Sequence, residues 1–403
     1  MTTFDDRVDP GVDPGVDVDD ELMARARGLI PLLSANAART DRDRRVPGEN
    51  LAALTDAGLF RMMAPRRWGG GEAAIATKIR AVSELSRGCG STGWVVSLLT
   101  GGSWFVGMMN ERAQQDVWAS GPDAKVAVAV PPSGTAERVG DGYLISGSWH
   151  YSSGCEHADW LLLGAPVTVD GGEPSAIVSL VPRDQVDIED TWHVTGMRGT
   201  GSNTVVASGI TVPLHRTIGL GAVQGGQVDT PFAAEAPYHA PLALGALSDL
   251  VGPQLGLARA ALELVIDNAA ARGASATVYH EQTQAPTVQL AVARAASSLD
   301  TAEALAFTAA IEMDHAGRAL VRPSLRDRAR LRMQLARAIV EARDAIRELV
   351  SVAGSSAFAE SNPLQRIWRD SEIASRHAVA NPAISAEAYG RVLLGITKPV
   401  IPL

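Results

Sequence analysis

The sequence predicts an α+β protein, mostly helical, built as a helical block, a compact β-module and a second helical block. Three observations carry this prediction. Apolar residues recur at three- and four-residue spacing from about Asp19 to 122. Short β-branched runs separated by turn dipeptides fill 123–216. Ala- and Leu-rich helical patterns return at Leu242 and continue toward Leu403.

A chain of 403 residues with 46% apolar and 20% charged residues can bury a substantial core. Its formal net charge of −9 argues against a surface that tracks nucleic-acid phosphates. Residues 1–18, with "VDPG" repeated, are expected to be a disordered tail, because Pro, Gly and Asp bury too little surface to offset ordering entropy. That segment is acidic and has no apolar core of the kind a secretory signal needs.

The first helical block spans 19–122. "ELMARARGLIPLLSANAARTDRD" and "PGENLAALTDAGLFRMM" repeat at helical spacing, with Pro47 at a first-turn position. Cys89 to Asn110 carries no charge, yet Gly, Ser and Thr punctuate it and neither flank resembles an anchor. It reads as a helix buried inside a bundle, not as a membrane span. The β-module, 123–216, holds "KVAVAV", "GYLISGSWHY", "WLLLGAPVTV", "AIVSLVP" and "NTVVASGITVP". Asp141-Gly142 and Asp170-Gly171 supply turn signals, and the spacing suggests an antiparallel sandwich or barrel. Residues 217–241 read as a Gly-, Gln- and Pro-containing loop or lid. The C-terminal bundle, 242–403, follows.

Several chemistries are not signalled. No "GxxxxGK[ST]" loop exists, and "RGTGSN" lies inside the β-block instead of opening a helix after a strand. Cys155-x-His157 lacks further ligands, so no metal is expected. "GSSAF" follows a helix and is no nucleophile elbow. The two cysteines, Cys89 and Cys155, make no disulfide framework and fit a reducing cytoplasm.

Four segments in this order resemble one family: "CGSTGWVVSLL" at 89–99, "ISGSWHYSSGCEHADW" at 145–160, "DTWHVTGMRGTGSNTV" at 190–205 and "PLQRIWRDSEIASRHA" at 363–378. The chain is similar, from about residue 20 to its end, to the acyl-CoA dehydrogenase fold. More narrowly it resembles the oxygenase components of two-component flavin-dependent monooxygenases, above all hydroxylases of aromatic polyketide (actinorhodin-type) pathways. The resemblance implies that a separate NAD(P)H-dependent reductase supplies reduced FMN, with FAD as the other option. It further implies that O₂ and a C4a-hydroperoxyflavin hydroxylate a polycyclic aromatic or phenolic metabolite. A homotetramer is implied as well. N-oxygenation of an amino sugar, acyl-CoA dehydrogenation and a non-catalytic flavin-binding paralogue stand as the alternatives.

The resemblance also assigns residues. Ser152 or Ser153 is implied as the hydroxyl beside flavin N5, where a small donor would protect the reactive edge; the competing reading is a strand-end turn. Trp192 is implied to flank the ring. Arg198, Thr200 and Ser202 of "MRGTGSN" are implied on the cofactor side, or else in a bulge or turn. Arg272, expected to end a long helix, would meet the flavin phosphate, or else compensate the helix macrodipole. Gly354, Ser355 and Ser356 would receive phosphate oxygens, or else cap a helix. His377, on an expected helix, is implied as the base for a phenolic proton, with Arg366, Arg369 and Asp370 as an ion-pair network holding that helix. Trp94 and Gly102 are implied at the substrate. Gly101 and Gly102 stand where some phenol hydroxylases carry a second histidine, which suggests room for a larger substrate. Trp149 and Trp160 read as core aromatics, and His157 and Asp159 as turn-holding residues.

Overall fold

The computed structural model describes residues 19–168, 174–230, 232, 234–398 and 400–403. The tail expected over 1–18 and the Asp170-Gly171 turn lie outside the described residues. Six helices come first: α1 (Asp20–Gly28), α2 (Ile30–Asp43), α3 (Gly48–Asp56), α4 (Ile75–Gly88), α5 (Gly90–Gly107) and α6 (Glu111–Trp118). Asp19 and Asn110 cap α1 and α6 by accepting from Leu22 and Ala113 amides. Helix α4 begins at Ala74, which has no capping side chain. Its first amides are met from across the fold instead, Asp314 accepting from Ile75 N at 2.8 Å and Ala76 N at 3.0 Å.

Eight strands follow: β1 (Val126–Ala129), β2 (Thr135–Val139), β3 (Gly142–Ser152), β4 (Trp160–Thr168), β5 (Pro174–Pro182), β6 (Asp187–Glu189), β7 (Asn203–Pro213) and β8 (Thr217–Gly219). They form two four-stranded sheets, ordered β1-β4-β5-β8 and β2-β3-β7-β6, packed on each other. All pairings are antiparallel except β1 with β4, which is parallel. The wholly antiparallel expectation is corrected there, because a helical segment delivers β1 to the sheet edge and no hairpin does. Trp149 is buried and its indole N–H donates to Gly164 O at 2.7 Å, tying one sheet to the other. Trp160 is half-buried, with the Arg216 guanidinium over its ring.

The stretch read as a loop, 217–241, contains β8, the short α7 (Leu220–Gln224) and a 3-10 turn at Ala236–His239. The last block holds α8 (Leu242–Ala269), α9 (Pro286–Arg318), α10 (Leu325–Ala353), α11 (Pro363–Ala374) and α12 (Pro382–Leu393). Helix α8 is the axis, with α4, α5, α9, α10 and α11 packed around it.

The uncharged window is α5, and every residue of it except Leu98 is buried. It lies between α4, α8 and β1, so no side faces water and no charge is tolerated. None of the described helices is long and apolar enough to cross a membrane. Its glycines do not open space for substrate, which corrects that expectation. A Cβ on Gly101 would sit 2.1 Å from Asp249 Oδ2, and one on Gly102 would sit 2.0 Å from Val126 O. Gly102 lets α5 touch β1, and Gly101 admits the Asp249 carboxylate, itself paired with Lys78 Nζ at 2.5 Å.

Candidate functional site

The β-module meets the helices where β3 ends. A bulge interrupts its pairing with β7 between Trp149 and Ser152, and Tyr151 there adopts a left-handed backbone with φ 62°. Left-handed non-glycine residues cost energy and persist only where the surroundings fix them. The kink re-aims the next two serines. Tyr151 is 73% exposed and stands edge-on to Trp192, ring centroids 5.9 Å apart. Sequence reasoning passed over Tyr151, since nothing in "WHYSSG" announces a positive φ.

Trp192 is fixed from several sides. Its amide and that of Thr191 donate to Asn203 Oδ1 at 2.9 and 3.1 Å. Its indole N–H donates to Met197 O at 2.9 Å.

The two candidate serines diverge. Ser152 is fully buried, and its hydroxyl has no hydrogen-bond partner within the protein. Ser153, 8% exposed, accepts from Trp94 Nε1 at 3.0 Å and lies 2.7 Å from Ser202 Oγ. Ser202 Oγ is 2.7 Å from Thr200 Oγ1, which donates to Met197 O at 2.9 Å. Three of the residues read from two separate motifs are thus joined to Trp94 in one buried chain.

His377 borders this cluster, its ring centroid 6.0 Å from that of Trp94. It does not lie on the expected helix. Helix α11 ends at Ala374, and His377 caps the 3-10 turn Ala378–Ala380, its Nδ1 accepting from Val379 N at 3.3 Å. The helix stops because Asn381-Pro382 begins α12, and the intervening residues must turn. His377 is exposed, with the Trp94 ring beside its own. Loss of hydration there lowers its pKa below the ordinary imidazole value.

Helix α11 holds the "MRGTGSN" loop from behind. Gly196 lets it approach, since a Cβ would lie 2.1 Å from Arg369 O. Met197 is left-handed, with φ 50°, and its amide donates to the buried Asp370 carboxylate at 2.5 Å. Burial pushes that carboxyl up to about 7, against the Met197 hydrogen bond. Arg369 joins Asp41 and Thr195 O. The ion-pair network expected of Arg366, Arg369 and Asp370 is therefore corrected: among the described residues Arg369 pairs with Asp41, and Asp370 holds the loop backbone through the Met197 amide, a contact that no spacing in the sequence reveals. Arg198 turns onto α2 and its own loop, donating to Asp41 O and Val194 O, both at 3.0 Å.

A second cluster forms beyond α8. The helix ends at Ala269, so Arg272 lies past it instead of terminating it. The Arg272 guanidinium donates to Ser356 Oγ at 3.4 Å. Gly354, at φ 66°, is a true helix cap whose amide donates to Val350 O, and Ser355 and Ser356 follow it exposed. One cation and one hydroxyl facing solvent together suit a phosphate.

Asp159 holds the turn by accepting from Lys125 N at 2.8 Å, and burial drives the His157 imidazole down to about 4. Among the described residues no group of His, Cys, Asp and Glu is arranged to hold a metal ion. A groove of about 780 Å³ is lined by residues such as Arg61, Glu72, Thr77 and Asp314 and shares none with these clusters. Size alone does not locate chemistry. The region around Ser153 and His377 gathers aromatic rings, aligned hydroxyls and a titratable ring, and it is the candidate site.

These parts fit a flavin: exposed aromatic faces, a hydroxyl with capacity to spare, and a separate cation–hydroxyl pair. Comparison with known proteins then decides the family. The chain is 33% identical to the flavin-dependent monooxygenase oxygenase subunit HsaA of Rhodococcus jostii, over 93% of this chain and 98% of that protein. The chain belongs to the flavin-dependent monooxygenases of the acyl-CoA dehydrogenase fold. Models of the acyl-CoA dehydrogenase N-terminal and C-terminal domains match residues 28–120 and 250–382 of this monooxygenase. The FADH(2)-dependent resorcinol hydroxylase oxygenase component of a Rhizobium species is 35% identical over 93% of this chain and 94% of its own. A solved structure of XiaF from Streptomyces, in complex with FADH2 and glycerol, superposes with a TM-score of 0.89 at 32% identity, covering 95% of this chain and 97% of that one.

Proposed function

We propose that this chain is the oxygenase component of a two-component hydroxylase. It takes reduced FMN or FAD from a separate NAD(P)H-dependent reductase and, with O₂, hydroxylates a phenolic, polycyclic metabolite of polyketide type. The observation that carries this is the hydroxyl chain ending at Ser153 and Trp94, with the His377 ring beside Trp94 and the Tyr151–Trp192 aromatic pair on the neighbouring segments. The names of two relatives, a resorcinol hydroxylase and a reduced-flavin-bound Streptomyces protein, support the phenol and the cofactor. A homotetramer is part of the same proposal.

When bound, the flavin supplies the oxygen-transfer chemistry. The protein binds, orients and excludes water. Tyr151 and Trp192 offer aromatic surfaces to the ring system, and Ser153 is the serine aimed at its N5 edge. Arg272, Ser355 and Ser356 receive the phosphate, while the Gly354 amide, spent on Val350 O, caps the helix and does not. Thr200 and Ser202 act through Ser153. Arg198 positions the loop.

His377 meets the phenol. With Nδ1 occupied by the Val379 amide, the neutral ring carries its hydrogen on Nε2. It therefore donates to the phenol oxygen and stabilises the phenolate left when the phenol's proton passes to solvent water, which makes the aromatic carbon nucleophilic. This replaces the proton-accepting role expected from the sequence. Trp94 is the neighbouring aromatic wall.

The test is single-turnover. The protein is mixed anaerobically with reduced FMN or FAD, then with ¹⁸O₂ and a panel of polycyclic phenols. One ¹⁸O atom in the product supports the proposal. Peroxide alone with every phenol, or label on the nitrogen of an amino sugar included in the panel, refutes it.

A further inference from the structure

The hydroxyl chain has a direction, and that direction follows from counting protons. Thr200 Oγ1 lies 2.9 Å from Met197 O, a carbonyl that can only accept. The Thr200 hydrogen must lie in that contact, since two oxygens that close without a proton between them repel. Thr200 then has only lone pairs to offer Ser202, so the Ser202 hydrogen points at Thr200 across 2.7 Å. Ser202 in turn accepts from Ser153 across 2.7 Å. At the other end Trp94 Nε1, which can only donate, reaches Ser153 Oγ at 3.0 Å.

In this arrangement all four donors have an acceptor. The reverse one leaves the Met197–Thr200 contact without its proton and sends the Ser153 hydrogen outward. Met197 O cannot move aside to relieve it. It also accepts from Trp192 Nε1 at 2.9 Å and from Thr200 N at 3.2 Å, while the amide of the same residue is held by Asp370. Thr200, Ser202 and Trp94 are 1%, 4% and 6% exposed, so water does not rearrange the chain. Ser153 has its hydrogen turned inward and one lone pair taken by Trp94. What it has left to offer a ligand is the remaining lone pair.

We infer that Thr200 and Ser202 fix Ser153 as a hydrogen-bond acceptor and thereby make the site select the reduced over the oxidised flavin. This rests on the flavin reading above and reverses the donor role expected for the serine. The nitrogen N5 of a reduced flavin carries a hydrogen, which an acceptor rewards. In the oxidised ring N5 is a bare lone pair, and a second lone pair opposite it is repulsive. The discrimination comes from residues that do not touch the ring.

The experiment measures equilibrium binding of FMN and FAD, each oxidised and each chemically reduced under anaerobic conditions, to the full chain and to Thr200→Val and Ser202→Ala. Valine is nearly isosteric with Thr200 but removes the proton that sets the chain. Ser202 then donates toward Ser153, and the Ser153 hydrogen turns outward. Removing the Ser202 hydroxyl frees the Ser153 hydrogen by a different route.

The wild-type protein is expected to bind the reduced form more tightly. Each variant should shrink the reduced-to-oxidised affinity ratio by about tenfold, the factor one hydrogen bond of ordinary strength carries. General damage weakens both redox forms together, so variants that shift the two affinities in parallel, or leave the ratio unchanged, overturn the inference. Circular dichroism establishes that each variant is folded, and either variant alone decides the matter. A wild-type protein that binds neither redox form overturns the flavin reading itself, a different result from an unmoved ratio.

Discussion

Replacing Asp370 with Asn keeps an oxygen for the Met197 amide and removes an ionisable group from a site that is 3% exposed. Burial raises that carboxyl from 3.8 to about 7. As pH climbs above 3.8 the unfolded chain gives up this proton, while the folded protein keeps it until pH reaches about 7. Across that window the folded state binds more protons, so wild-type stability falls relative to the Asn variant and levels off above about 7. One pH unit corresponds to about 1.4 kcal/mol, so the two units from pH 5 to 7 shift the gap by roughly 3 kcal/mol in favour of Asn. Urea unfolding of both proteins at pH 5, 6, 7 and 8 reads this directly as the variant-minus-wild-type difference. Asp370→Ala, by contrast, leaves the Met197 amide buried without a partner and should lie about 1–3 kcal/mol below Asn at every pH. Parallel pH curves for wild type and Asn would refute the reasoning, because they mean the carboxyl titrates as it does in the unfolded chain.

Gly102→Ala drives a methyl group into Val126 O and should lower stability by about 2 kcal/mol or more, seen as an earlier thermal transition; an unchanged melt contradicts the α5–β1 contact. Arg272→Ala should weaken FMN binding at least ~10-fold while leaving riboflavin, which has no phosphate, nearly unaffected. Equal losses for both would place Arg272 away from the phosphate. The lowered pKa of His377 keeps its ring neutral through neutral pH, and protonation below 6.5 leaves the Nε2 donor in place, so kcat should show no acid limb from this residue. His377→Phe, which removes that donor, should turn over more slowly at every pH, and a wild-type kcat in the variant removes His377 from the reaction.

Much of the architecture was legible because it depends on local periodicity. The helical blocks, the β-branched module and the buried nature of the uncharged segment all follow from which faces of each element can meet water. Trp149 in the core was readable too, from burial preference. Where the reading failed, the cause was contact across the fold. Gly101 and Gly102 suggested space when taken alone, but Asp249 and Val126 O occupy it. His377 looked helical by its spacing from Arg369, but the Asn381-Pro382 boundary and the Val379 amide place it in a turn.

The sequence by itself determined which segments are helix or strand and which short motifs carry polar chemistry, since those depend on neighbours a few residues apart. Only the tertiary structure decided how the motifs act together. It brought Ser153 and Ser202 to 2.7 Å from positions 49 residues apart, and set Asp370 against an amide 173 residues away. It also assigned the direction of each hydrogen bond between them. That assignment depends on counting donors and acceptors in a closed space, and a linear order of residues does not define the space.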